Sequence, residues 1–400
     1  MSGRSPRVGG VNITQQQLDQ FLRHAREHAH VVALPMRTRF RGIDTREAML
    51  VPTPGGWVEF APFLEYGPAE SSRWLRSAVV HSLLLDDDAT ARPQGANADH
   101  AALQVPAGVG VSVNATMPAV DAQANPQQVG ELMARYPGCT TVKVKVAEPA
   151  ILREQGFEAS MAQDVARVRA VRAWFAEQGV DRPRIRVDAN AGWSVDQALA
   201  VITQLAAEDV AGECLDYVEQ PCATVAELAE LRQRLADEGI APGGSPVRIA
   251  ADELIRKASD PLAVVEAGAC DVAVVKVAPL GGIDQVVKVA RQVAAHGVSL
   301  TLSSALDTAV GIGAGLQAAA LVAQVGKDAG VFGQDGPNAA GLATGSLFTA
   351  DVGSREIRDG AMLTGAVQPD PAVLERYAVD AESRQWWGRR MEAAAAELGS

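Results

Sequence analysis

The sequence predicts an α/β fold, a (β/α)7β-type TIM barrel carrying an α+β capping domain, and three observations predict it. Short β-branched runs recur from about residue 105, alanine-rich helical stretches separate them, and a stretch of strands followed by one helix precedes them. Apolar runs without alternation mark strands buried on both faces, as in parallel sheets. Regular strand–helix alternation then favours a closed barrel over an open sheet.

Taken in order, residues 1–30 are polar with a helical pattern from Thr14 to His30, and they read as an N-terminal extension. The run VVALPMRTRFRGIDTREAMLV reads as strand, arginine-rich loop and strand. GGWVEFAPF adds a glycine turn and a third strand, and SSRWLRSAVVHSLLL an amphipathic helix. These make a capping domain over 31–104, with a linker rich in Asp, Ala and Gly from Asp86 to Gln104. The barrel is assigned to 105–349, and the C-terminal segment 350–400, mostly helical from Glu375 and bearing Trp386 and Trp387, completes the cap. Seven strands are read in GVGVSVNAT, TTVKVKVAE, RIRVDANAG, LDYVEQP, VRIAADE, DVAVVKVAP and VSLTLSSAL; DAGVFGQDGPNAAGLATG supplies an eighth in broken form.

Composition narrows the function. With 48 % hydrophobic and 21 % charged residues, the chain can build a large core. A net charge of −12 and a pI near 5.1 argue against nucleic acid or an anionic membrane as partner, but leave room for a small anionic substrate in a local cationic pocket. Cys139, Cys214, Cys222 and Cys270 form no CxxC pair and read as small buried residues of a reducing compartment. The N-terminus lacks a signal-peptide core, and no stretch approaches the ~20 apolar residues of a membrane span, so the cytoplasm is expected.

The chemistry sits where the strands end. Lys143 and Lys145 close the second strand, Asp188 the third, Glu219 the fourth, Asp252 the fifth and Lys276 the sixth. In a β/α barrel that end is the active-site face. Three carboxylates from adjacent strands suit a hard divalent cation with oxygen ligands, Mg²⁺ with Mn²⁺ as a substitute. The lysines flank it from opposite sides. Such an arrangement removes a proton next to a carboxylate, the metal stabilising the enediolate that forms. A lysine base must be neutral, which burial and neighbouring positive charge favour; Lys143, two residues from Lys145 on one strand face, supplies such a neighbour. Each residue alone has a bland reading: Asp188 as a helix cap, a KxK pair as a solvated strand face, Glu219 as a loop residue. Five charges on strands buried on both faces do not. His296 lies in a helix end away from the rim and is a poor rival base.

In this order, KVKV, DANAGW, EQP, ADE and VVKVAPLGG resemble the muconate-lactonizing-enzyme subgroup of the enolase superfamily, over about residues 31–380. Within it, PMRTRFRGIDTREA, GGWVEFAPFLEYGP, YVEQPCATVAELAELR and SSALDTAVGIGAGLQAAA are similar to an actinobacterial branch of hydro-lyases. That branch dehydrates 2-succinyl-6-hydroxy-2,4-cyclohexadiene-1-carboxylate in menaquinone biosynthesis. The resemblance implies Lys145 as general base, Lys143 as its auxiliary, Lys276 as electrostatic stabiliser opposite, and Asp188, Glu219 and Asp252 as Mg²⁺ ligands. It implies Asn190 and Glu253 around the pocket, and Gly281, Gly282, Ser303 and Ser304 lining it with backbone donors for the succinyl carboxylate. Of the loop arginines Arg37, Arg39 and Arg41, Arg41 beside Gly42 is the candidate to touch substrate; the alternative is a solvated loop.

Two features depart from that pattern. His24 and His28 stand one helical turn apart, a spacing compatible with a transition metal but more simply a surface helix. The segment from Glu148 to Ala159 is a long insertion at the rim. The same lysines and carboxylates also serve N-acylamino acid racemases and dipeptide epimerases. A metal-free Schiff-base aldolase using Lys276 leaves the carboxylates unexplained, and a catalytically dead binding module leaves the lysines unexplained.

Overall fold

Thr14 opens the chain's first helix with a reciprocal cap: its hydroxyl accepts from the Gln17 N–H, and the Gln17 side chain accepts from the Thr14 N–H at 2.9 Å. The computed structural model describes residues 10–40, 42–86, 100–256, 262–332 and 336–398, without the side chains of 38–40 and 256. Helix α1 (Gln15–His28) is followed by an antiparallel meander of β1 (His30–Phe40), β2 (Ile43–Thr53) and β3 (Gly56–Phe60), then by α2 (Pro68–Leu85). Most of the expected linker lies outside the described residues.

The first barrel run of the sequence, GVGVSVNAT, splits. β4 (Gly110–Ser112) leaves the barrel to pair antiparallel with β12 (Ala361–Leu363), and only β5 (Ala115–Met117) enters it. The barrel sheet runs β5, β6 (Thr141–Lys145), β7 (Arg184–Asp188), β8 (Leu215–Glu219), β9 (Arg248–Ala251), β10 (Val272–Val275) and β11 (Ser299–Leu302), all parallel. Helices α3 (Phe157–Glu177), α4 (Val195–Leu205), α5 (Val225–Asp237), α6 (Ile283–Ala294) and α7 (Gly311–Ala329) alternate with the strands. The eighth stave is two residues long. Ala340 bridges in parallel to Val113 and Gly341 to Ser303, with Gly341 N–H donating to Leu302 O at 2.7 Å and Ala340 N–H to Ser112 O at 2.8 Å. The barrel thereby closes, with the broken eighth strand that the sequence suggests.

Cap and barrel have separate cores that meet at the rim. One core holds Leu18, Phe21 and Ala25 of α1 together with Leu50, Phe60, Trp74, and Trp387 and Met391 of α8 (Ala381–Leu398). So α1 is packed into the meander and is not set apart from it. Trp387 is wholly buried, edge-on to Phe60, and its indole N–H donates to Glu47 at 2.7 Å. The same core includes Ala305, Leu306 and Val310, which follow β11. A second tie is Arg76 of α2, which meets the fully buried Asp284 at the start of α6 at 2.7 Å. No described helix is long and apolar enough to cross a membrane.

Candidate active site

Parallel register sets the chemistry on one level. Lys145 of β6 pairs with Asp188 of β7, and Asp188 with Glu219 of β8. Beyond these strand ends the chain turns through left-handed backbone at non-glycine residues: Ala147 (φ 54°), Asn190 (φ 42°), Gln220 (φ 40°) and Leu306 (φ 58°). Such conformations persist only where the surroundings over-determine them, and they gather at functional rims. Above the strand ends lies a cavity of about 1150 Å³, lined by Lys143, Lys145, Asp188, Asn190, Asp252, Lys276, Ser303 and Ser304 among others.

Ammonium groups sit among the carboxylates. Lys143 Nζ lies 2.9 and 3.0 Å from the two oxygens of Glu219 and 3.2 Å from Asp188. Lys276 Nζ lies 2.7 and 2.6 Å from the oxygens of Asp252, and Lys145 Nζ 4.0 Å from Asp188. Burial opposes the charge of Lys143, but Asp188 and Glu219 outweigh it and raise its pKa well above the usual lysine value. Its charge is thus engaged by carboxylates, a stronger tie than the simple neighbour role expected for it. Burial would raise the Asp188 carboxyl, yet Lys143 and Lys145 hold it well below its ordinary range. Glu219, wholly buried beneath the cavity, is pushed up to about 7 by burial, partly offset by Lys143, and further by the neighbouring Asp188 and Asp252 carboxylates.

Three carboxylates here face three lysines, Lys143, Lys145 and Lys276. Three oxygen donors from three adjacent strands, each acting on the next, fit a divalent cation. As placed, no three or more His, Cys, Asp or Glu side chains among the described residues stand close enough together to hold a metal ion. The lysines that would flank a metal hold the carboxylates instead.

The expected pocket residues divide. Asn190 lines the cavity and donates to Glu253 at 3.1 Å; Glu253 backs it and is not part of the lining. Ser303 and Ser304 line it too, but their backbone N–H groups donate to Val275 O at 2.8 Å and Gly341 O at 3.0 Å. They are committed to closing the barrel and are not donors for a carboxylate. Gly281 and Gly282 do not reach the cavity: their N–H groups bond back to Ala278 and Val277, and Gly281 O accepts from Arg76 of α2 at 2.6 Å. They seat the cap on the barrel. Arg41 and the Arg39 side chain lie outside the described residues, and Arg37 is exposed. Gly42, next to Arg41, lines the cavity, so the cap loop reaches over it.

Several positioning residues are given no role by the sequence. Gln220 is buried; its side-chain oxygen accepts from the Asp252 N–H at 3.1 Å and the Leu254 N–H at 3.3 Å, and its amide donates to Cys222 O at 2.8 Å. Asp164 and Arg167 of α3, both buried, clamp the end of β6. Asp164 accepts from the Ala147 N–H at 2.9 Å, and Arg167 donates to Lys145 O at 2.8 Å and Val120 O at 2.7 Å. The expected insertion is a short helix, Pro149–Gln155, whose Pro149, Ile151, Leu152 and Arg153 line the cavity. Two other expectations give nothing catalytic. The His24 ring nitrogen bonds to Pro52 O at 2.7 Å and its ring stacks near His28 at 4.5 Å. Burial pushes the thiols of Cys139, Cys222 and Cys270 up to about 12, as inert core residues.

Comparison with known proteins agrees with this architecture. The family model for an enolase C-terminal domain-like unit matches residues 127–351, and that for an enolase N-terminal domain-like unit matches 31–81. An o-succinylbenzoate synthase of Mycobacterium marinum is 46 % identical over 368 residues, 92 % of this chain and 93 % of that protein. The o-succinylbenzoate synthase of Mycobacterium tuberculosis strain H37Rv is 44 % identical over the same shares. Among solved structures, muconate lactonizing enzyme from Pseudomonas fluorescens superimposes with a TM-score of 0.61 at 17 % identity, covering 88 % of this chain and 98 % of that one. An N-succinyl Arg/Lys racemase from Bacillus cereus gives 0.59 at 16 % identity, covering 88 % and 97 %. At such identities these two speak for the fold alone.

Proposed function

The chain belongs to the o-succinylbenzoate synthase family of the enolase superfamily, and from that footing we propose that it is a hydro-lyase acting on 2-succinyl-6-hydroxy-2,4-cyclohexadiene-1-carboxylate. The observation that carries this reading is that Lys145, Asp188 and Glu219 stand level on adjacent strands, with Asp252 and Lys276 lining the same cavity as Lys145, in a chain so close to the named synthases.

Asp188, Glu219 and Asp252 would hold Mg²⁺, or Mn²⁺ in its place, which supplies Lewis-acid stabilisation of the charge developing on the substrate carboxylate. Lys145 takes the proton from the carbon bearing that carboxylate. The C–H electron pair becomes a ring double bond as the C6–O bond breaks, and the proton on Lys145 leaves with the hydroxyl as water, so the ring becomes aromatic. Lys276, held by Asp252, places positive charge near the developing anion. The same ion pair argues against Lys276 as a Schiff-base nucleophile, which needs a free neutral amine.

The test is a spectrophotometric dehydration assay with and without Mg²⁺. Metal-dependent consumption of the cyclohexadiene is expected, falling roughly a thousandfold in Lys145→Ala. Silence of the wild-type protein with metal present would sink the reading, and α-proton exchange in N-succinylamino acids would then be the chemistry to examine.

A further inference from the structure

We infer that Arg153, on the rim helix Pro149–Gln155, binds the second carboxylate of the substrate, the one at the succinyl end, and so sets the preference for dicarboxylates. This rests on the dehydratase reading above, whose substrate carries one carboxylate on the ring and one on the succinyl chain. The ring carboxylate lies at the reacting carbon and belongs to the floor of the cavity. The succinyl carboxylate needs a separate donor several bonds away. The lysines of the floor do not supply it: Lys143 is held by Glu219 and Asp188, Lys276 by Asp252, and Lys145 sits 4.0 Å from Asp188 at the reacting end. Nor do the Ser303 and Ser304 backbone N–H groups, which close the barrel.

Arg153 is different. It lines the cavity, its side chain is exposed, and it makes no hydrogen bond or ion pair with any described residue. Its planar fork of donors matches a carboxylate.

The helix that carries Arg153 is held in place. Asp164 fixes the Ala147 N–H in its left-handed turn just ahead of the helix, and Arg167 ties Lys145 O and Val120 O on either side. The backbone of the base and the turn that leads into the Arg153 helix are therefore held by the same buried pair. Charge agrees as well. Among the described residues, Lys143, Lys145, Lys276 and Arg153 face Glu148, Asp188 and Asp252 on the lining and Glu219 beneath it, equal numbers of each sign. A divalent metal then leaves two positive charges for a ligand with two negative ones.

The experiment compares two ligands on the metal-loaded enzyme by titration calorimetry: o-succinylbenzoate, and 2-butyrylbenzoate, which keeps the ring carboxylate and ketone but ends in a methyl group. The wild-type protein should favour the dicarboxylate roughly tenfold or more. Arg153→Met should erase that preference by weakening only the dicarboxylate, and raise KM for the substrate by a similar factor with kcat little changed. Arg153→Lys should fall between. If Arg153→Met keeps the preference, or weakens both ligands equally, the role of Arg153 is overturned while wild-type turnover leaves the dehydratase reading standing. If the wild type turns over no cyclohexadiene, both fall together.

Discussion

A single side-chain amide organises the middle of this site. Gln220 adopts left-handed backbone straight after Glu219, which swings its side chain across to β9, where it accepts from the N–H groups of Asp252 and Leu254. The strained turn and the buried amide thus set where one carboxylate proposed for the metal stands relative to another. Outer partners of metal ligands commonly govern affinity by ten- to a hundredfold. Gln220→Ala should therefore raise the Mg²⁺ concentration for half-maximal activity by roughly tenfold, with kcat at saturating metal nearly kept; an unchanged metal dependence would remove Gln220 from this role. At this scale the sequence was informative about ionisable groups and silent about their supports. Lys145, Asp188, Glu219, Asp252 and Lys276 announce themselves because charges at the ends of apolar strands have no bland explanation. Gln220 and Arg46 sit in runs that carry the resemblance, and Arg167 in an ordinary helix, but none shows its supporting role until its burial is known. The one available hint was Asp164 and Arg167 interrupting the buried face of α3 beside Val168 and Val171.

At the scale of elements, the loop after β11 shows how the cap enters the site. Ser303, Ser304, Ala305 and Leu306 line the cavity from one side. From the other, buried Arg46 of β2 donates to Leu306 O at 3.1 Å and Ala305 O at 3.4 Å, as well as to Ala61 O, with its guanidinium over the Phe63 ring. Glu59 of β3 accepts from the Thr308 N–H at 2.9 Å and from its hydroxyl. Arg46→Met leaves those carbonyls without a donor and should cost about 3 kcal/mol of stability. It should also shrink the rise in melting temperature that saturating o-succinylbenzoate confers, because the pocket wall it braces is loosened. A variant with the full ligand-induced rise would show that the loop holds without it. Elements themselves were legible where periodicity is local: the seven apolar runs and the helices between them. The split of GVGVSVNAT into β4 and β5 was not, because β4 finds its partner β12 only at Ala361–Leu363, far along the chain. The rim helix Pro149–Gln155 read merely as an insertion, since it buries no residue and so has no apolar stripe.

For the whole molecule, the joint between cap and barrel contains a titratable group with a definite sign. His81 of α2 borders a small cavity with Glu59, Trp74, Val277 and Ala278. Burial, aided by Arg355, lowers its pKa from 6.5 to about 4. The unfolded chain therefore binds a proton on this ring that the folded protein refuses between those values. Stability from this group is complete above pH 6.5 and falls as pH drops toward 4. His81→Gln removes the penalty, so from pH 7 to pH 5 the stability difference should move in favour of the variant by about 2 kcal/mol. Denaturant unfolding at the two pH values reads it directly, and a pH-independent difference would mean the ring stays out of the transition. The two-part architecture was readable from the change of texture near residue 105. The closeness of the parts was not, because α1, the meander, α8 and the loop after β11 join one core through contacts spread over the full length of the chain.

That shared loop bears on how such a protein can be recombined. The wall of the reaction chamber is encoded with the barrel but braced by side chains encoded with the cap, so the two halves are not interchangeable cassettes. A chimaera joining this barrel to a foreign cap would inherit every group that touches the reacting atoms, and would still work only if the newcomer brought an arginine and a carboxylate able to grip residues 305–308. Lineages exploring new substrates by exchanging caps would thus have to carry the grip on that four-residue stretch along with the domain that supplies it, or rebuild it on arrival.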